Sequence, residues 1–179
     1  MMTTAKLLTI PGSALVVLVG PAGSGKSTFA REHFVSTEIL SSDFFRGMVS
    51  DDEGDQEATG DAFALLHLVL EARLKRGKLC VVDATNILAK YRKHLIEYAH
   101  SFARPAIAII FQTPTAVSVE RAAKRGTRPV DSLIVRRHAK ELASQTDEDL
   151  LREGFARVFR FDPADGAQIR RTRAASPRK

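Results

Sequence analysis

The chain has 179 residues, which suits one domain with its own hydrophobic core. Its composition, 44% hydrophobic and 27% charged, is that of a soluble globular protein. No apolar run is long enough to span a bilayer, no apolar leader follows Met1, and the single Cys80 excludes an internal disulfide, so a cytoplasmic protein with no membrane partner is expected. The net charge of +6 is concentrated at the end of the chain: residues 168–179 hold Arg170, Arg171, Arg173, Arg178 and Lys179 and no acid. Without those five, 22 basic residues face 21 acidic ones, so net charge points only weakly to a polyanionic partner.

In chain order, 14–19 is an apolar run ending in glycine, which predicts a buried strand, and a helix is predicted over 26–35. Residues 38–40 read as a second short strand, followed by Ser41-Ser42-Asp43, residue types that cap helices. The acidic, glycine-containing stretch 51–61 is predicted as a loop. Apolar residues at helical spacing (Phe63, Leu66, Val69, Leu70, Leu74) predict a helix over 62–76, with Gly77 as its stop. A third strand is predicted at 79–82, a helix at 90–102, a fourth strand at 106–111 and a helix at 116–125. Residues 126–129 break the chain before a helix at 130–144, and 157–161 closes the series as a last strand. Continuous apolar strands separated by helices indicate an α/β fold with a parallel sheet covered on both faces. A single domain is expected over 1–165, with 166–179 as a basic tail or linker.

Gly20-Pro21-Ala22-Gly23-Ser24-Gly25-Lys26-Ser27 fits G-x-x-x-x-G-K-[ST] and lies between a predicted strand and a predicted helix. Glycines at Gly20, Gly23 and Gly25 permit backbone conformations that turn successive N–H groups toward phosphate oxygens. The helix N-terminus adds positive potential. Gly20, Gly23, Ser24, Gly25, Lys26, Ser27 and Thr28 are therefore the expected ATP-binding residues, with Lys26 on the β- and γ-phosphates and the Ser27 hydroxyl on Mg²⁺. A transfer of the γ-phosphoryl group from ATP is the expected chemistry.

Asp43 ends the second strand, and in a parallel sheet the carboxyl ends of the strands share one ligand-binding edge. It is expected as the base that takes the acceptor's proton; the competing role is a helix cap. Arg46, one turn on, is placed equally to bind an acceptor phosphate or to pair with the acidic loop. Asp83 follows an apolar strand, the pattern of a carboxylate that helps hold Mg²⁺. Arg121 and Arg125 share a helix face and Arg128 follows Gly126; beside the break at 126–129 these read as a lid closing on the triphosphate.

The run Ser41-Ser42-Asp43-Phe44-Phe45-Arg46-Gly47-Met48-Val49-Ser50-Asp51-Asp52-Glu53 resembles the kinase module of bacterial polynucleotide kinase-phosphatases, RNA-repair proteins that heal broken ends. Thr28-Phe29-Ala30, Val81-Val82-Asp83-Ala84-Thr85-Asn86 and the stretch from Glu120-Arg121 to Arg137-His138 are similar too, so the resemblance covers about residues 14–160. It implies an adenylate-kinase-like P-loop fold with a helical lid, and a 5′-hydroxyl polynucleotide kinase using ATP and Mg²⁺ on RNA or DNA ends. On that basis Asp43 is the base toward the 5′-OH, Arg46 contacts the phosphate region, Arg121 and Arg125 are lid arginines, and Gln56 is a further acceptor contact. The family's proteins continue into phosphatase and ligase-like modules, for which 179 residues leave no room, so an excised kinase domain or a stand-alone relative is expected. The alternative is a small-metabolite kinase of the same fold, acting on a sugar acid, nucleoside or antibiotic; a nucleotide-sensing binding module is a third reading.

Overall fold

A computed structural model describes residues 5–126 and 129–173. Its centre is a five-stranded, wholly parallel sheet of β2 (Leu15–Val19), β3 (Ile39–Ser41), β4 (Cys80–Asp83), β5 (Ala106–Phe111) and β6 (Arg157–Phe161), in the order β3-β4-β2-β5-β6. Alternation along each strand divides the core in two, because successive side chains leave opposite faces. Leu15, Val17 and Val19 of β2, with Ala106, Ala108 and Ile110 of β5, enter one cluster. Val16, Leu18, Ile107, Ile109 and Phe111 enter the other.

The first face is covered by α3 (Thr59–Lys75) and α4 (Ala89–Ser101). Leu66, Leu70 and Leu74 recur at helical spacing on α3 and are fully buried there, with Leu95, Ile96 and Ala99 from α4. Gly77 ends the α3 region in the left-handed conformation, φ 65°, as its sequence position predicts. The second face is covered by α1 (Lys26–His33), through Phe29 and Ala30, and by a two-stranded parallel pair, β1 (Lys6–Pro11) with β7 (Ala167–Thr172).

That pair corrects the sequence reading of the C-terminus. The run from 166, expected as a solvated tail or linker, continues as β7 to Thr172 and closes the second face with Ala167 and Ile169 against Leu8 and Ile10. Arg171 is not a free tail cation: its guanidinium donates two 2.7 Å hydrogen bonds to the Glu38 carboxylate and lies over the Phe34 ring. Residues 174–179 lie outside the described residues. A second addition is α7 (Asp147–Glu153), opened by reciprocal bonds between Thr146 and Asp149.

The remaining elements are α2 (Ser42–Ser50), α5 (Thr115–Ala123) and α6 (Ser132–Ala143), each within two residues of expectation where one was made. Among the described residues no helix is long and apolar enough to cross a membrane.

Candidate active site

Parallel strands bring their carboxyl ends to one edge, and the strand order sets the sequence of groups along it. From one side to the other come α2 after β3, Asp83 at the end of β4, the glycine-rich loop after β2, the α5–α6 unit after β5, and the 162–166 segment after β6. Register aligns Asp83 with Ser41 on one neighbour and with Leu18 on the other. A cleft of about 980 Å³ crosses this whole edge, lined among others by Gly25, Lys26, Ser27, Asp43, Asp83 and Arg125.

The glycine-rich loop is shaped by its neighbours. Gly23 and Gly25 have φ of 80° and 93°, open to glycine and strained for other residues. At Gly23 there is also no room: a Cβ would lie 2.1 Å from the Ser118 carbonyl oxygen of α5. The helix that carries Arg121 therefore rests directly on the loop, and Ala22, Ala122 and Val135 form a small core between loop, α5 and α6. The Thr113 hydroxyl braces the loop from behind, donating to Ser24 O at 2.8 Å. At α1 no side chain caps the N-terminus and no acid lies in the first turn, so its N–H groups remain available to an anion.

Lys26 is buried and donates to Gly20 O and Pro21 O, both at 2.8 Å. Burial lowers its pKa to about 8, with Arg125 pushing the same way and Asp83 and Asp43 opposing. Asp83 is also buried, which raises its pKa; the nearby Ser27 hydroxyl and the Lys26 charge counteract this in part. Lys26, Ser27, Asp83, Asp43 and Arg125 are thus one electrostatic unit, although only Lys26 and Ser27 are neighbours in the chain.

Asp43 sits in the first turn of α2, but it does not cap the helix. Ser41 does, its hydroxyl oxygen accepting from Phe44 N at 3.4 Å. The Asp43 carboxylate instead faces the cleft and pairs with the Arg46 guanidinium. Arg46 is buried and also donates from Nε to Glu53 O at 2.8 Å, so it ties α2 to the acidic loop. The loop's acids are partly spent on the loop itself: Asp52 accepts from Gly54 N and Asp55 from Glu57 N. Gln56 bonds Gly54 O within that loop. Arg121 is exposed and Arg125 half-buried, both on the cleft wall; Arg128 lies outside the described residues.

Three contributors were given no role by the sequence reading. Phe161, Pro163, Ala164, Gly166 and Ala167 wall the cleft beyond Gly25, on the side opposite Asp43 in the strand order. Burial lowers the pKa of His138 on α6, with the charges of Arg137 and of Lys26 acting the same way. Asn86, with φ 50°, donates to Leu18 O at 2.8 Å and so fastens the segment after Asp83 to β2. That segment is held in turn by the fully buried Arg92, which donates to Asn86 O and Ile87 O and makes a bidentate pair with Glu153. The signal in the sequence was the polar Asn shortly after a strand-end Asp; nothing local marks Arg92 and Glu153, 61 residues apart.

No curated protein sequence matches the chain. Among solved structures, a chain in the Pnkp1/Rnl/Hen1 RNA repair complex superposes with a TM-score of 0.62 at 26% identity, over 76% of this chain and 45% of that one. The present chain therefore spans less than half the length of that relative. A structure from the PezAT chromosomal toxin-antitoxin system of Streptococcus pneumoniae shares the fold with a TM-score of 0.60 at 16% identity, over 90% of this chain and 71% of that one. The tunicamycin resistance protein of Deinococcus radiodurans does so at 0.53 and 14%, over 84% and 86%. Residues 15–150 match the family model described as AAA domain, and with its glycine-rich loop on a parallel sheet the chain belongs to that family, with the fold of a P-loop kinase and the nucleotide site of a phosphotransferase.

Proposed function

We propose that the protein is a 5′-hydroxyl polynucleotide kinase, transferring the γ-phosphate of ATP to RNA or DNA ends. The observation that carries this reading is the placement of Asp43. Its helix is capped by Ser41, so the carboxylate is turned into the cleft, within electrostatic reach of Lys26 and Asp83. The polynucleotide part rests on the Ser41–Glu53 run and on the 26% identity to the chain in the RNA repair complex.

The residues present suit Mg²⁺: a hydroxyl and a buried carboxylate, both hard oxygen donors, line the same cleft at Ser27 and Asp83 beside the glycine-rich loop. Bound there, the ion neutralises charge on the phosphate oxygens. The loop N–H groups, the α1 N-terminus and Lys26 hold the β- and γ-phosphates. Arg121 and Arg125 approach from the lid side, where they stabilise the charge that spreads over the transferred group. The cleft beyond Gly25, bordered by Thr28 and Pro163, is the space left for the donor's nucleoside. Arg46 orients Asp43, which accepts the proton of the 5′-hydroxyl as that oxygen attacks the γ-phosphorus. The bond to the β–γ bridging oxygen breaks and ADP departs. Partners in this reading are 5′-OH ends, with phosphatase and ligase activities supplied elsewhere in a longer chain or complex.

The test is transfer of labelled γ-phosphate from ATP and Mg²⁺ to a short 5′-OH oligonucleotide. Label on the oligonucleotide, lost in Asp43→Ala with ATP binding retained, is expected. ATP hydrolysis with no labelled RNA or DNA would reassign the acceptor to a small molecule.

A further inference from the structure

Next to Asp43 stands a large apolar side chain that the fold does not bury. Phe44 is 55% exposed and lines the cleft, while its neighbour Phe45 is 6% exposed and sits in the core. The two rings meet edge-to-face, with centroids 5.8 Å apart and planes at 69°. Phe45 therefore braces the Phe44 ring while more than half of Phe44 stays open to solvent. The backbone beneath is equally fixed: Phe44 N is the group capped by Ser41, and Arg46 locks α2 to the loop at 51–58, which is shorter than expected because α3 begins at Thr59. Leaving a phenylalanine ring in water forfeits the burial free energy of a large apolar side chain. Placed on an irregular loop such a ring would signify little; here it stands in the first turns of a capped helix, in a cleft and one residue from the proposed base.

The strand order decides what it faces. α2 follows β3 at one margin of the sheet, and the 162–166 segment follows β6 at the other, with the phosphate loop between them. A donor whose phosphates lie on that loop, and whose nucleoside extends toward Pro163, leaves the Phe44 margin to the acceptor. Sugars offer hydroxyl groups and small stacking area, whereas every nucleobase offers a flat π-face that stacks on an aromatic ring with little regard to its identity.

We propose that Phe44 is the stacking platform for the nucleobase of the acceptor's 5′-terminal nucleotide, and thereby a specificity-determining residue that selects nucleotide-terminated acceptors without reading their sequence. The inference rests on the polynucleotide kinase reading, and it adds the group that recognises the acceptor's end. Stacking is exchanged for solvent on binding, so the ring acts mainly through acceptor KM, while Asp43 acts through kcat.

A two-by-two comparison tests it: wild type and Phe44→Ala, each with a 5′-OH oligonucleotide and with the same oligonucleotide carrying a baseless tetrahydrofuran residue at its 5′ end. With the ordinary acceptor, Phe44→Ala is expected to raise KM by about fivefold to a hundredfold. The baseless acceptor should be about as poor for wild type, and Phe44→Ala should add little to that loss. Phe44→Tyr should restore the ordinary KM, and thermal melting of all variants should be the same within a few degrees. Equal losses on both acceptors, or none on either, would overturn the platform while leaving the kinase reading intact. Failure of wild type to label either oligonucleotide would overturn both.

Discussion

The two ends of the cleft are built by different means. The donor end is made of backbone: glycines at positive φ, a helix N-terminus without a side-chain cap, and carbonyls that receive Lys26. The end proposed for the acceptor is made of side chains, with Asp43 and Arg46 paired on α2 and Phe44 beside them. Phosphates are the same in every nucleoside triphosphate, so a fixed backbone cradle serves any of them. An acceptor varies from one kinase to another, and side chains on a short helix can be exchanged without disturbing the sheet. Between the two ends runs the segment after β4, fixed to β2 by Asn86 and to α7 by Arg92 and Glu153.

If the ends are functionally separate, a change at the acceptor end should abolish turnover and spare donor binding. Asp43→Ala is expected to lower kcat by about a hundredfold to ten-thousandfold, the usual contribution of a positioned base. The Kd for ATP, measured by calorimetry, should change little. A large loss of ATP affinity would show that Asp43 belongs to the donor end and would break the distinction.

The connecting segment should be the most sensitive point for stability. Arg92→Met removes a buried guanidinium and leaves the Glu153 carboxylate and two carbonyls without their donors. Breaking one side of a buried pair costs about 3–5 kcal/mol. Denaturant melting of Arg92→Met beside Arg92→Met/Glu153→Leu separates the causes. The double variant should recover part of the loss, since it no longer strands a carboxylate.

Legibility in the sequence divides along the same line. A backbone site needs glycines at set intervals between a strand and a helix, so the 20–27 loop is a local pattern and was legible. Asp43 was legible as a carboxylate at this edge, although the strand ends at Ser41 and Asp43 stands in the first turn of α2. That it leaves the capping to a neighbour was not, because three adjacent polar residues, Ser41, Ser42 and Asp43, were equally able to cap. Arg46 had two equal roles on position alone; burial and the bond to Glu53 O show that it holds the acidic loop as well as facing Asp43. The β1–β7 pair was hidden for a different reason. Its strands are about 160 residues apart, and β7 carries Arg170 and Arg171 beside Ile169, which gives it the composition of a tail. Helix α7 has one fully buried residue, Leu150, in seven, too little to make an apolar period.

At the donor end the prediction concerns shape. Gly23→Ala would place a methyl group against the Ser118 carbonyl and hold alanine at φ 80°. The conformation alone costs about 1–2 kcal/mol, and relief of the clash must lift α5 from the loop. ATP affinity and melting temperature should therefore fall together. An alanine variant with a normal melting point and normal ATP affinity would mean that α5 does not rest on the loop in solution.

A smaller effect tests the charge at the donor end. Because burial holds Lys26 near a pKa of about 8, its ammonium is complete below that pH and is lost as pH rises through it. Binding of a triphosphate requires the charged form. The Kd for ATP should be flat well below pH 8, about double at that pH, and rise above it by up to about tenfold per pH unit. Lys26→Arg, whose charge persists, should flatten the curve whatever its own affinity.

The smallest prediction is the counterpart of Gly23. Gly60 lies in the first turn of α3, at negative φ, exposed, and a Cβ there would meet nothing within 4 Å. Replacing a helical glycine by alanine restricts the unfolded chain without straining the folded one, and stabilises by about 0.4–1 kcal/mol. Gly60→Ala should raise the denaturant midpoint slightly and leave kcat and both KM values as they are, because α3 supplies the first face of the sheet and no wall of the cleft. Loss of activity in Gly60→Ala at full stability would show that α3 and the adjoining 51–58 loop must move during turnover. The acceptor end would then be a hinged element, where the static arrangement of Arg46 and Glu53 describes a rigid one.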